Sequence, residues 1–359
     1  VARERRVAVT AVSVSGVADF AGLGERWRDL EQRSAGSFFQ SWTWVGCLAA
    51  ERFPDPLLVA ATENGRTVAL ALFNRVRRRL GPSVLYLGES GTPALDSPYV
   101  EQNGVLTEVG RETELTELCL RAVASRHELR LSGVDEPVAE AVIRSAALVR
   151  VLRSRGSPFI DLAGIRTRGG DYLAGLSANT RQQIRRSDRY YEHNGPIEIE
   201  RANAVESARA MLDRMAVLHQ AAWTARGQPG SFARPFFRRF HHDLIAAAVP
   251  RGEVALLTVS CGGEVIGILY NFVHRGRMLA YQSGFAYGSH GNQAKPGLTA
   301  HQRAIRLALE QGLDIYDFLA GADRYKRSLA EGSHSQVWMA CGPLYSPGLL
   351  LRTALRRLL

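Results

Sequence analysis

The chain has 359 residues, enough for two domains that each bury a core, and its 46% hydrophobic and 22% charged residues are ordinary for a folded globular protein. No run approaches the ~20 apolar residues of a membrane-spanning helix, and no basic-then-apolar leader is visible, so the expected location is cytoplasmic. Lys and Arg exceed Asp and Glu by 10 charges, which favours an anionic partner such as the phosphates of CoA, a tRNA or a membrane surface, although an arginine excess is also what a GC-rich genome produces.

In chain order, Val7 to Val14 alternates as an edge strand does, and Asp19 to Arg33 carries Phe20, Leu23, Trp27 and Leu30 at helical spacing. Ser41 opens a further helix through Trp44, Cys47 and Leu48. Leu57–Thr62, Asn64-Gly65, Thr67–Arg75 and Ser83–Gly88 read as strand, tight turn, strand and strand. Glu112–Arg126 is helical and Leu129–Leu131 is a short strand.

The second half repeats this order. Asn203–Arg226 and Pro235–Ala248 are helices; Val254–Ser260, the Gly262-Gly263 turn, Val265–His274 and Met278–Phe285 follow as strand, turn, strand and strand. A polar loop (286–296), a helix (Gly297–Gln311) and a strand (Asp314–Leu319) complete the series. Matching elements around the turns at Gly65 and Gly263 imply two copies of one α/β fold. Arg, Ser and Gly cluster at 153–158, so the expected domains are 1–155 and 156–345. In the tail at 346–359, Leu351, Leu355 and Leu358 oppose Arg352 and Arg356 as in an amphipathic helix, which would lie on a membrane or dock on the protein, docking being expected for so short a helix.

The helix opening at Pro296 and Gly297 offers unpaired N–H groups and a positive dipole end, with Lys295 adding a charge, which suits a phosphate. Around it, Gln293-Ala-Lys-Pro-Gly297-Leu298-Thr299 resembles a loosened form of the pyrophosphate loop of the GNAT acyltransferase superfamily. The ending Tyr316-Asp317-Phe318-Leu-Ala-Gly321, followed by Tyr325-Lys326, resembles the CelD/BcsL-type acetyltransferases, relatives of the FemA/FemB/FemX aminoacyl transferases. The resemblance covers about residues 176–339. It implies tandem GNAT-like folds, each a mixed, mostly antiparallel sheet flanked by helices. It also implies acyl-CoA as co-substrate, held by Gln293, Lys295, Gly297, Leu298 and Thr299, with no metal. The N-terminal domain would be the scaffold or acceptor side.

Acyl transfer to an amine needs an oriented carbonyl, oxyanion stabilisation and a destination for a proton, but no protein nucleophile. Consistently, no Gly-x-Ser-x-Gly motif occurs, and Cys47, Cys119, Cys261 and Cys341 lie at neither metal-ligand nor redox spacing. In the Fem-type pattern a Lys after an aromatic residue lies at the donor or the developing charge, which points to Lys326 and its neighbour Tyr325; the other reading is a solvated lysine. Asp317, among apolar strand neighbours, reads either as a base for the amine or as an ion-pair partner of Arg324 or Lys326. Arg181, Arg185 and Arg189 form one basic stripe, a solvated face or a contact for CoA or tRNA phosphates. Tyr270 and Gln282 are candidates for an acyl slot, and Asp96 and Tyr99 for an acceptor loop with Glu89-Ser-Gly-Thr. His219 reads as a satisfied core histidine. The functional expectation is an N-acyltransferase moving an acyl group from acyl-CoA to a primary amine, small or glycan-linked. The alternatives are an aminoacyl-tRNA-dependent transferase and a non-catalytic module of polysaccharide or envelope assembly.

Overall fold

The computed structural model describes residues 10–288, 293–321, 324–347 and 349–350. The chain divides into two compact units, Val1–Ser154 with Ser335–Leu359, and Arg155–His334. The elements run β1 (Ala11–Gly16), α1 (Phe20–Glu31), α2 (Trp42–Val45), α3 (Ala49–Arg52), β2 (Pro56–Glu63), β3 (Arg66–Val76), β4 (Val84–Leu87), β5 (Leu106–Thr107), α4 (Glu112–Ala124), β6 (Glu128–Val134) and α5 (Glu136–Ser145). Strand β7 (Leu148–Asp161) leads into the second unit, where α6 (Leu162–Thr167), α7 (Ala178–Glu192), β8 (Ile197–Arg201), α8 (Val205–Thr224), α9 (Pro235–Ala248), β9 (Val254–Cys261), β10 (Glu264–His274) and β11 (Arg277–Phe285) follow. Then come α10 (Pro296–Glu310), β12 (Ile315–Asp317), α11 (Arg324–Leu329) and β13 (Gly332–Gly342), which returns the chain to the first unit.

Both units place one parallel strand pair in an otherwise antiparallel sheet. In the first, β1-β2-β3-β4-β6 lie in that order, with β4 and β6 parallel and bridged by α4. In the second, the order β8-β9-β10-β11-β12 has β11 and β12 parallel, bridged by α10. The tight turns need left-handed backbone, supplied by Asn64 and Gly65 (φ 49° and 79°) and by Gly262 and Gly263 (φ 58° and 82°). Val68–Phe73 of β3 and Ile268–Phe272 of β10 are buried as unbroken runs, because their sheets are covered on both faces. Each unit has its own apolar core, one built on β2, β3, β6 and α4 and the other on β9, β10, α10 and α6.

Several sequence expectations differ from what is observed. The helix read from Ser41 to Leu48 is two single turns, because Leu48 sits at φ 50° and breaks it. The stretch around 153–158, read as a linker, is the middle of β7, whose burial is low from Leu148 to Gly156. Residues from Ser335 onward, assigned from sequence to the second domain, belong to the first unit, where β13 pairs with β6 from Val337↔Val134 to Cys341↔Leu129. The tail helix and the start of the first expected strand lie largely outside the described residues.

Candidate active site

Strand β11 pairs with β12 only over Arg277–Leu279 against Ile315–Asp317. Beyond this the two part. The chain after β12 stays on β7, with the Phe318 N–H donating to Pro158 O (2.9 Å) and the Gly321 N–H to Gly156 O (3.2 Å), while β11 continues to Phe285. A wedge opens between them, and along it one edge of β11 has no strand partner among the described residues. On its other edge β11 carries a bulge: Tyr270 pairs with Gln282 and Asn271 with Ala280, leaving Tyr281 extra. A bulge at this point re-aims side chains near the wedge.

Helix α10 lays His301 across the wedge. Its ring lies 5.9 Å from that of Phe285 at the end of β11, 5.3 Å from Phe318 just past β12, and 5.3 Å from Tyr325, on which it stacks at 26°. His301 Nδ1 is 2.8 Å from the Tyr316 hydroxyl, and the residue is 2% exposed. Burial, aided by the charge of Lys326, lowers its pKa to about 3, so the ring is neutral. Lys326 Nζ donates to Phe318 O at 2.7 Å. Of the sequence candidates, Tyr325 and Lys326 are therefore brought together at the wedge. His301 does not stand out in the sequence, where it falls among Leu298, Ile305 and Ala308 of α10 at a spacing that reads as packing.

Asp317 lies at the same strand end and is fully buried. Its carboxylate accepts from the Ser157 hydroxyl (2.9 Å), the Leu319 N–H (2.8 Å) and Arg277 Nη2 (3.0 Å). An ion-pair partner is Arg277 of the adjacent strand, which the sequence reading did not name. The bond to Leu319 steadies a leucine held at φ 58°.

The start of α10 is closed on itself. Leu298 and Thr299 N–H both donate to Lys295 O, and the Lys295 N–H donates to Ser187 Oγ of α7 (2.9 Å). Thr299 is fully buried, its hydroxyl donating to Asp188 Oδ1 (2.8 Å) and lying 2.9 Å from Ser187 Oγ; Leu298 is in the core. The expectation that this turn offers several unpaired donors to a phosphate is corrected: α7 and the helix's own Lys295 carbonyl take up Lys295, Leu298 and Thr299. Gln293 stays exposed and Lys295 half-buried. At Gly297 a Cβ would lie 3.3 Å from the Phe285 ring, a tight contact that the ring would have to yield to by a few tenths of an ångström. On α7, Arg181 is spent on the carbonyls of Ala174 (3.2 Å) and Leu176, whereas Arg185 and Arg189 are exposed.

Tyr270, expected along an acyl slot, is fully buried instead, its hydroxyl 3.2 Å from His241 Nδ1; its pairing partner Gln282 is half-buried. His219 is a core histidine, with Nδ1 3.0 Å from Ser283 O and a pKa lowered by burial. In the first unit, Asp96 is taken up by its own loop, accepting from Ser90 and Gly91 N–H (2.6 and 2.8 Å), while Tyr99 is 44% exposed. The free thiols Cys47, Cys119, Cys261 and Cys341 stand apart, and no group of three metal-ligating side chains occurs among the described residues. A cavity of about 700 Å³ adjoins the end of β11, lined by Tyr190, Tyr191, Leu218, Arg226, Phe285 and Tyr287. No helix among the described residues is long and apolar enough to cross a membrane.

Residues 178–327 match the family described as the acetyltransferase (GNAT) domain. No curated protein matches the sequence. Among solved structures, FemX is similar over 95% of this chain and 99% of its own, at 9% identity and a TM-score of 0.58. The C-terminal domain of a protein described as a lysylphosphatidylglycerol synthetase, from Agrobacterium fabrum, is similar over 94% of this chain and 96% of its own, at 10% identity and a TM-score of 0.56. L-PGS from Bacillus licheniformis follows over 92% and 96%, at 9% identity and a TM-score of 0.54. At such identities the likeness is one of fold, and the fold is GNAT-type.

Proposed function

We propose that this chain is an N-acyltransferase that binds acyl-CoA in the wedge of its second unit and transfers the acyl group to a primary amine. The observation that carries this is the parting of β11 from β12 after Leu279 and Asp317. An unpaired strand edge can hold the amides of an extended ligand as a further strand would, and the pantetheine arm of CoA is such a ligand. The aromatic walls from Phe285, Phe318 and Tyr325 would exclude water from the thioester, and Lys326 supplies positive charge beside it. In the reaction the amine lone pair forms a C–N bond to the carbonyl carbon while the carbonyl electrons move onto oxygen. Collapse of that intermediate breaks the C–S bond, and the amine's surplus proton ends on the departing sulfur. Gln293, Lys295 and exposed Arg185 are the cations and amide available to the donor's phosphates. Asp96 and Tyr99 mark the loop assigned to the acceptor side, for a small or glycan-linked amine. Four free thiols and a CoA donor suit the cytoplasm.

A second reading, an aminoacyl-tRNA donor as in Fem-type transferases of the CelD/BcsL relationship, is favoured by the likeness to FemX and to the two lysylphosphatidylglycerol synthetase structures. Titration of the protein with acetyl-CoA and with charged tRNA, at low and physiological salt, separates the two. CoA carries few phosphates, so its affinity should fall only shallowly with salt, whereas a tRNA contact loses affinity steeply. We expect acetyl-CoA binding with the shallow slope. Binding of charged tRNA alone, with a steep slope flattened by Arg185→Ala, would replace the CoA reading; binding of neither would favour a non-catalytic module.

A further inference from the structure

His301 holds a polar atom that no described residue satisfies. Its Nε2 is buried with no hydrogen-bond partner among the described residues, and such an atom destabilises a fold unless something else meets it. The tautomer follows from its neighbour. Tyr316 is fully buried and its hydroxyl has one partner among the described residues, His301 Nδ1. If the hydroxyl donates to Nδ1, one group is left over, an Nε2–H. If Nδ1–H donates to the phenol oxygen, two are left over, the phenol O–H and the Nε2 lone pair. The first arrangement therefore wins, and burial keeps the phenol protonated by raising its pKa well above the usual range.

The N–H so fixed sits in a low-dielectric nest. Phe285, Phe318 and Tyr325 surround the ring, Tyr316 orients it, and Lys326 is the charged group whose field it feels. Phe285 and Phe318 belong to the two sides of the wedge. Nε2 is enclosed by these rings, so a ligand meets it only where they part along the wedge; once met, the donor is already oriented before negative charge develops beside it, which is a condition for oxyanion stabilisation.

We propose that the Nε2–H of His301 donates a hydrogen bond to the acyl carbonyl oxygen of the donor and stabilises the oxyanion formed when the amine attacks. This rests on the reading of the wedge as an acyl-CoA site. A neutral imidazole suits this place because it can be kept dry among the aromatic rings while still presenting a polarised N–H, whereas a charged side chain would need a partner there.

The test is infrared difference spectroscopy of acetyl-CoA labelled with carbon-13 at the thioester carbonyl, bound to the full chain. In wild type the carbonyl stretch should lie below that of free acetyl-CoA; in His301→Phe it should return to the free value, and in His301→Gln it should recover part of the shift. Affinity for CoA itself, which has no acyl carbonyl, should be the same in all three. Once an amine acceptor is in hand, kcat should fall by ~10²-fold or more in His301→Phe with little change in donor KM. If wild type binds acetyl-CoA but its carbonyl frequency equals that of the His301→Phe complex, this role for His301 is wrong while the donor site stands. If wild type binds neither acetyl-CoA nor CoA, the donor reading fails and this inference with it. Nitrogen-15 NMR of unsubstituted protein gives a reading independent of how the variants fold: the proton should sit on Nε2, unchanged from pH 5 to pH 8, and a proton on Nδ1 would overturn the assignment.

Discussion

Replacing Asp317 by asparagine separates a structural carboxylate from a catalytic base. The amide oxygen can still accept from Ser157 and from the Leu319 N–H, so the backbone at φ 58° keeps its support. What changes is the third bond: Arg277 Nη2, 3.0 Å from the carboxylate, would meet an amide that carries no charge and turns N–H donors toward it. Removing one partner of a buried pair costs ~3–5 kcal/mol. The Arg277 side chain is 33% exposed and can recover some water, which puts the cost at about 3 kcal/mol, the low end of that range. For a unit of this size each kcal/mol lowers Tm by ~2–4 °C, so a loss of about 6–12 °C is expected. The assay is a thermal melt of Asp317→Asn, Arg277→Met and the double variant, with the double variant more stable than additivity allows, because it leaves no unpaired charge. A wild-type melt for Asp317→Asn, combined with a collapse of acyl transfer, would refute the structural assignment and restore Asp317 as the base.

Two further outcomes follow from the same geometry. Lys326→Met keeps the apolar stem and removes the ammonium that bonds Phe318 O; kcat should fall ~10²-fold or more if that charge faces the oxyanion, while Tm changes little, and unchanged steady-state kinetics would remove Lys326 from the site. In the first unit, burial and the nearby charge of Asp96 push the Glu89 carboxyl up to about 7, against opposing help from Ser132, Arg52 and Arg153. A folded pKa raised above the unfolded one gives stability that is full below about pH 4.5 and lost as pH rises through about 7. Melts across that window should slope downward for wild type and less so for Glu89→Gln; equal slopes would show that another group carries the dependence.

The sequence speaks most clearly where local chemistry decides the structure. Pro296 and Gly312 bracket α10 because one lacks an N–H where none is needed and the other adopts φ 74° where the helix must stop. The turns at Gly65 and Gly263 announce the internal repeat for the same kind of reason. Strand β7 was illegible because Arg153-Ser154-Arg155-Gly156 reads as a polar join and the strand is largely exposed up to Gly156; pairing holds it in place, and burial leaves no periodic mark there. The partner of Asp317 depends on register: Leu279 lies opposite it, which brings Arg277 diagonally alongside, and nothing within 314–328 could reveal that. Tyr325 and Lys326 were readable through motif resemblance, whereas the role proposed for His301 depends on an atom left without a partner among the described residues, which only three-dimensional packing exposes.

The return of β13 to the first unit has a consequence for how the protein emerges from the ribosome. Val134 and its neighbours in β6 are made early, yet the strand that covers their edge begins to pair at Val337, after the whole second unit has been synthesised. Until then β6 presents a row of open backbone groups, the kind of edge on which nascent chains mispair. The second unit, contiguous from Arg155 to His334, faces no such wait. Vectorial synthesis therefore favours closing the second unit first and completing the amino-terminal sheet last, so a stall within β13 would release a chain with a formed wedge and an unfinished first unit.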